Sequence, residues 1–134
     1  MIMTDNEKNQ QEMIFQLQMF EQQINQLQQQ IQAVEQAVID MKTLNYDLDE
    51  LVGKKDREIL AAIGRGIFAK AKLISEELVV DAGGKNFVTK SISETKEMIS
   101  QQIEKLQKAK KELENNLEQV GRELERVWSE GQKK

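Results

Sequence analysis

The chain has no cysteine, no proline and no histidine, and only one tryptophan, one tyrosine and four phenylalanines in 134 residues. Without cysteine there is no disulfide framework and no thiolate chemistry, and a cytoplasmic setting is the expectation. Lacking both histidine and cysteine, the chain cannot build a zinc centre or a histidine-based triad from its own residues. Aromatics at 4% leave material for only a thin core. No apolar run approaches the ~18 residues that a membrane-spanning helix needs, and mean hydropathy is -0.62. The polar residues that follow Met1–Asp5 leave no apolar stretch for a signal peptide. A net charge of -4 argues against non-specific nucleic-acid binding, which needs a basic surface to displace counterions. The carboxylates are scattered without a plausible pocket, so a paired-acid hydrolase is not indicated. No metal, no cofactor and no enzymatic activity are expected.

What the sequence has in quantity is Gln, Glu and Lys around regularly spaced aliphatics, the composition of long solvated helices. Apolar residues recur at alternating steps of three and four through Leu17, Phe20, Ile24, Leu27, Ile31, Val34, Val38 and Met41, then Asn45, Leu48 and Val52. A second series runs Ile92, Lys96, Ile99, Ile103, Leu106, Lys110, Leu113, Leu117, Val120, Leu124, Val127. This is the 3.5-residue repeat of a coiled coil, with Asn45, Lys96 and Lys110 as polar interruptions that weaken the seam but help to set its register. The two series match in reverse: Leu17 faces Val127, Phe20 faces Leu124, and so on to Val52 facing Ile92. Helices that paired with unrelated partners would not need one constant register across eleven layers. Each arm of about 40 residues would measure ~60 Å. Ser91 and Glu94 fit a capping box at the start of the second arm.

Between the arms the period changes to two. Ile59, Ala61 and Ile63 alternate with Glu58, Leu60 and Ala62 before Gly64-Arg65-Gly66; Ile67–Leu73 follows. Next come Leu78–Ala82, the turn Gly83-Gly84-Lys85-Asn86, and Phe87–Lys90. These read as four short strands in two hairpins, with glycine where the turns need positive φ. Gly64-Arg65-Gly66 and Gly84-Lys85 do not make phosphate loops: Val79 and Asn86 stand where that motif needs Gly and Ser/Thr. Two hairpins this small cannot bury a core of their own, so strands from other subunits would cover them. The expected architecture is mainly α with a small β insert, in a single domain. Residues 1–52 form the N-terminal coiled-coil helix, 53–90 the two β-hairpins, and 91–134 the C-terminal helix. The assembly residues are Ile59, Ala61, Ile63, Gly64, Gly66, Ile67, Phe68, Leu78, Val80, Gly83, Gly84 and Phe87.

At the chain termini the coiled-coil surface is not polar, as it should be. With Leu17 at position a, Phe15 and Met19 fall at f and c, and Ile14 and Trp128 at e. Ile2, Met3 and Met13 add apolar mass beyond the last layer. Such a patch suggests a binding surface, and methionine suits varied partners. Ile14 and Trp128 could equally staple a fraying end.

A coiled-coil hairpin with two β-hairpins at its bend resembles prefoldin, and the double hairpin resembles its α-class subunit. The local likeness lies in Ile63-Gly64-Arg65-Gly66-Ile67-Phe68-Ala69-Lys70-Ala71 and in Leu78-Val79-Val80-Asp81-Ala82-Gly83-Gly84. Arg65 stands where the family has a small residue. The resemblance implies a hexamer of two α-class and four β-class subunits, joined through an intersubunit β-barrel platform. It implies an ATP-independent holdase whose tips grip unfolded protein clients and pass them to a group II chaperonin, with no nucleic acid and no membrane involved. On this reading Ile2, Met3, Met13, Ile14, Phe15, Met19 and Trp128 are the client-binding tip. A homo-oligomeric or filament-forming scaffold, or an adaptor for one folded partner, is the alternative.

Overall fold

Helix α1 runs from Asp5 to Asp49, and helix α2 from Ile92 to Gln132. Between them lie strands β1 (Glu58–Gly64), β2 (Ile67–Lys72), β3 (Leu78–Asp81) and β4 (Phe87–Lys90). This computed structural model describes Ile2 and residues 4–132; Met3, one of the candidate tip residues, lies outside them. The chain divides into two compact units: residues up to Ala37 with those from Leu106 onward, and Val38–Lys105. Among the described residues no helix is long and apolar enough to cross a membrane.

In the first unit every seam residue from Leu17 to Val34 and from Lys110 to Val127 is half-buried, while their outward neighbours are exposed. The thin core follows from two-helix packing: each seam side chain has one facing helix and open solvent beside it. Contacts across the seam fix the antiparallel register. Lys110 Nζ lies 3.4 Å from Glu35, and a Cβ on Gly131 would overlap the sulfur of Met13. Met13 therefore belongs to the seam, one layer beyond Leu17, and it fits there because Gly131 has no side chain. α1 starts with a capping box that was legible as T-x-x-E but not singled out from the sequence. The Glu7 N–H donates to Thr4 Oγ1 (3.2 Å), and the Thr4 N–H donates to Glu7 Oε2 (3.4 Å).

The second unit holds the best-buried of the described residues: Val38, Ile92, Thr95 and Ile99. Asn45 Nδ2 donates to Ser100 Oγ (3.3 Å), and Lys96 is ion-paired with Asp49, in the same antiparallel register. Both seam lysines are thus tolerated because each ammonium reaches a carboxylate at the seam's edge and stays partly solvated. α1 stops three residues earlier than the periodicity suggests. The Leu51 and Val52 N–H groups donate to Leu48 and Asp49 carbonyls at 3.1 and 3.2 Å, the tighter i→i−3 pattern of a helix end. Gly53 follows at φ 75°, its N–H donated to the Glu76 carboxylate. This turn carries Val52 off the apolar stripe, leaving it 58% exposed, so the eleventh layer is not closed by Val52 although Ile92 is buried.

The Ser91 capping box is present: the Glu94 N–H donates to Ser91 Oγ (3.0 Å) and the Ser91 N–H to Glu94 Oε1 (3.3 Å). Hydrogen bonding to the carboxylate from the Ser91 backbone N–H first and the Ser91 hydroxyl second holds the Glu94 carboxyl below its ordinary range, with the Lys90 charge assisting. A carboxylate with a depressed folded-state pKa stabilises above its unfolded pKa, and that contribution is lost as pH falls through the depressed value. The first turn of α2 is therefore expected to loosen on acidification through and below the carboxylate range. Amide exchange at Glu94 and Thr95 reads it, and Ser91→Ala should remove most of the acid dependence. Acid-insensitive exchange in the unaltered chain would contradict the assignment.

Each hairpin is its own two-stranded antiparallel sheet; no strand of one is hydrogen-bonded to the other. β1 pairs with β2 from Glu58–Lys72 to Ala62–Phe68, with a bulge before Gly64–Ile67. The turn holds Gly64, Arg65 and Gly66 all at positive φ, so Arg65 occupies the left-handed region at 53°, where a side chain is disfavoured. In the second turn Gly84 and Lys85 are at 60° and 64°, the type I′ signature that matches strand twist, and the Asn86 N–H donates to the Gly83 carbonyl (3.1 Å).

Candidate functional site

Two surfaces stand out, one in each unit. In the first, α1 presents Ile14, Phe15 and Met19 and α2 presents Trp128. All four are exposed, Phe15 at 62% and Trp128 at 50%. Ile2, just before α1, is almost fully exposed. The positions follow from the heptad: once Met13 and Leu17 take the seam, a 100° advance per residue puts Phe15 and Met19 on the outward side. Ile14 and Trp128 flank the seam, each with about half its surface in water. Met13 differs from the others because it is half-buried against Gly131. The surface is apolar and rich in flexible and aromatic side chains, so it can offer dispersion and hydrophobic contact.

In the second unit the hairpins expose apolar side chains and unpaired strand edges together. Cross-strand register puts Leu60, Ala62 and Phe68 on one face of β1–β2 with Lys70 and Lys72, and Ile59, Ala61, Ala69 and Ala71 on the other. Ile59 and Ala61 are half-buried; Leu60, Ile63, Ile67 and Phe68 are exposed. In β3–β4, Leu78 and Val80 are half-buried, whereas Val79 (72% exposed) and Phe87 share the opposite, open face. Gly64, Gly66, Gly83 and Gly84 all lie in the two turns at positive φ, with open space around them.

Leu60 and Val79 were not among the residues picked out from the sequence, and Ile74 and Val88 are also exposed. The signal was available. Ile59-Leu60-Ala61 and Leu78-Val79-Val80 are apolar on successive residues, which in a strand means apolar on both faces. Strands of that kind occur where both faces become covered. Alternation alone selects one face and misses the other.

The family model described as "Prefoldin subunit" matches residues 20–134. The Ile14, Phe15 and Met19 patch precedes that stretch, while Trp128 and both hairpins fall within it. A prefoldin subunit alpha of Methanococcus aeolicus is 31% identical over 131 residues, 96% of this chain and 88% of that one. A prefoldin subunit alpha of Methanobrevibacter smithii is 28% identical over 117 residues, covering 87% and 75% respectively. Among solved structures, a filamentous PFD from Methanocaldococcus jannaschii determined by cryo-EM superimposes with a TM-score of 0.77 at 18% identity, over 86% of this chain and 97% of that one.

Proposed function

The chain belongs to the prefoldin family as an α-class, chaperone-type subunit, and from that premise we propose that it is an ATP-independent holdase. The observation that carries the reading is the exposed group of outward-facing Phe15 and Met19 with seam-flanking Ile14 and Trp128, a set of large apolar side chains left in water. A contiguous exposed apolar patch of this kind marks an interaction surface. Each contact with an unfolded client is weak; several arms engaging one client raise the effective concentration and hold it. The open faces and edges of the hairpins serve assembly, with two α-class and four β-class subunits as the arrangement proposed. Clients then pass to a group II chaperonin in the cytoplasm, and no catalytic step is involved.

Native mass spectrometry of the complex isolated from its own cells tests the assembly. A hexamer with a second, smaller coiled-coil subunit in excess is expected; a homo-oligomer, or a complex with one folded partner, would replace the holdase by a scaffold or an adaptor. Capture is tested by changing Phe15 and Met19 together to Ser. The assembly should stay whole while suppression of client aggregation falls by about tenfold to a hundredfold, as expected when two such side chains each lose roughly half of their ~1.5–3 kcal/mol burial term and each ~1.4 kcal/mol is a factor of ten. Unchanged suppression by an intact assembly would remove this patch as the site.

A further inference from the structure

Next to the tip patch, the outer side of α1 is nearly free of charge. From Met13 to Gln36 it carries only Glu21 and Glu35, and Glu35 lies 3.4 Å from Lys110. The stretch of α2 opposite, Lys108 to Gly131, has eleven charged residues over the same length. The positions of α1 that turn away from the seam are instead carboxamides: Gln18, Gln22, Asn25, Gln26, Gln29 and Gln32, all exposed. Phe15, Gln22 and Gln29 share one heptad position, as do Met19 and Gln26. The amide track therefore continues the apolar patch on the same face, within the same unit.

A solvated coiled-coil surface ordinarily carries charges of both signs, as α2 does here. A carboxamide both donates and accepts, as a peptide group does. Covering it desolvates no fixed charge, and it repels clients of neither sign. The features common to all unfolded chains are apolar side chains and peptide groups; the tip meets the first and the track is matched to the second. A second copy of the chain is a poorer occupant. Between Met19 and Gln36 this face has no apolar residue larger than Ala33, whereas stable interfaces are built around an apolar core.

We propose that the surface holding an unfolded chain extends from the tip along roughly 30 Å of the outer face of α1, where carboxamides meet the client main chain whatever the client's charge. This rests on the capture reading above and adds to it how selectivity for charge is avoided. Two paired variants of the full assembly test it: Gln22→Glu with Gln29→Glu, and Gln22→Lys with Gln29→Lys. Gln, Glu and Lys have similar helix propensities, and neither position has a charged neighbour three or four residues away. The probes are reduced lysozyme, a basic client, and reduced α-lactalbumin, an acidic one.

The unaltered assembly should suppress aggregation of both, changing less than about twofold between low and high salt. The Glu pair should hold the acidic client about fivefold less well at low salt and recover at high salt; the Lys pair should do the same for the basic client. If both pairs hold both clients as the unaltered assembly does, the track is not a client surface. The Phe15 and Met19 double variant, run alongside, separates the two claims. Its failure beside intact track variants leaves tip capture standing and overturns only the track, while no effect from either set overturns both. A changed oligomer mass in either track variant would make this face a contact between subunits and would also overturn the inference.

Discussion

A chain in which Val79 and Phe87 are both changed to Glu is expected to lose its oligomeric state while keeping both helices. The two side chains share the open face of β3–β4 and are 72% and 63% exposed in the isolated chain. Covering a side chain of this kind is worth about 1.5–3 kcal/mol. Two carboxylates placed there would lose that term and would have to be desolvated without partners. The combined effect should weaken association by a hundredfold or more, since each ~1.4 kcal/mol is a factor of ten. Helices α1 and α2 should be kept, because Val79 and Phe87 lie on the open face of β3–β4 and not on the face that carries half-buried Leu78 and Val80. Sedimentation velocity reads the assembly and circular dichroism reads the helices. An assembly of unchanged mass at micromolar concentration would show that this face is not an interface.

The second large effect is expected at Ile99, the most buried residue described, at 3% exposure. With Ile92 and Thr95 it forms a stripe on the first two turns of α2, and the buried Thr95 hydroxyl is satisfied by donating to the Ser91 carbonyl (2.8 Å). Ile99→Ala should cost about 2–4 kcal/mol, combining lost burial with the space left behind. Leu124→Ala, at a half-buried seam position in the other unit, should cost clearly less because solvent already reaches it and no closed void forms. Thermal unfolding of the full chain compares the two. If Leu124→Ala proved as damaging as Ile99→Ala, stability would not be concentrated in the unit that contains the hairpins.

The sequence by itself determined the two helices, their seam and their reverse register, because a coiled coil is specified by local spacing. Lys110 meeting Glu35, and Asn45 meeting Ser100, are what that spacing requires. It also determined both hairpins, since two positive-φ turns flanked by apolar runs admit little else. The outward placement of Phe15 and Met19 followed from counting alone.

Other features depended on tertiary structure. Val52 keeps the heptad spacing yet leaves the stripe, because the chain tightens after Asp49 and turns at Gly53, held by Glu76 from a distant loop. Met13 looked like a free tip residue until Gly131 came opposite it and made room in the seam. Thr95 is off the a/d pattern yet buried. Which face of each hairpin stays open, Leu60 with Phe68 and Val79 with Phe87, was likewise undecided by strands that are apolar on both sides. Periodicity assigns a residue to a face of its own element; whether that face is covered depends on what the rest of the chain brings against it.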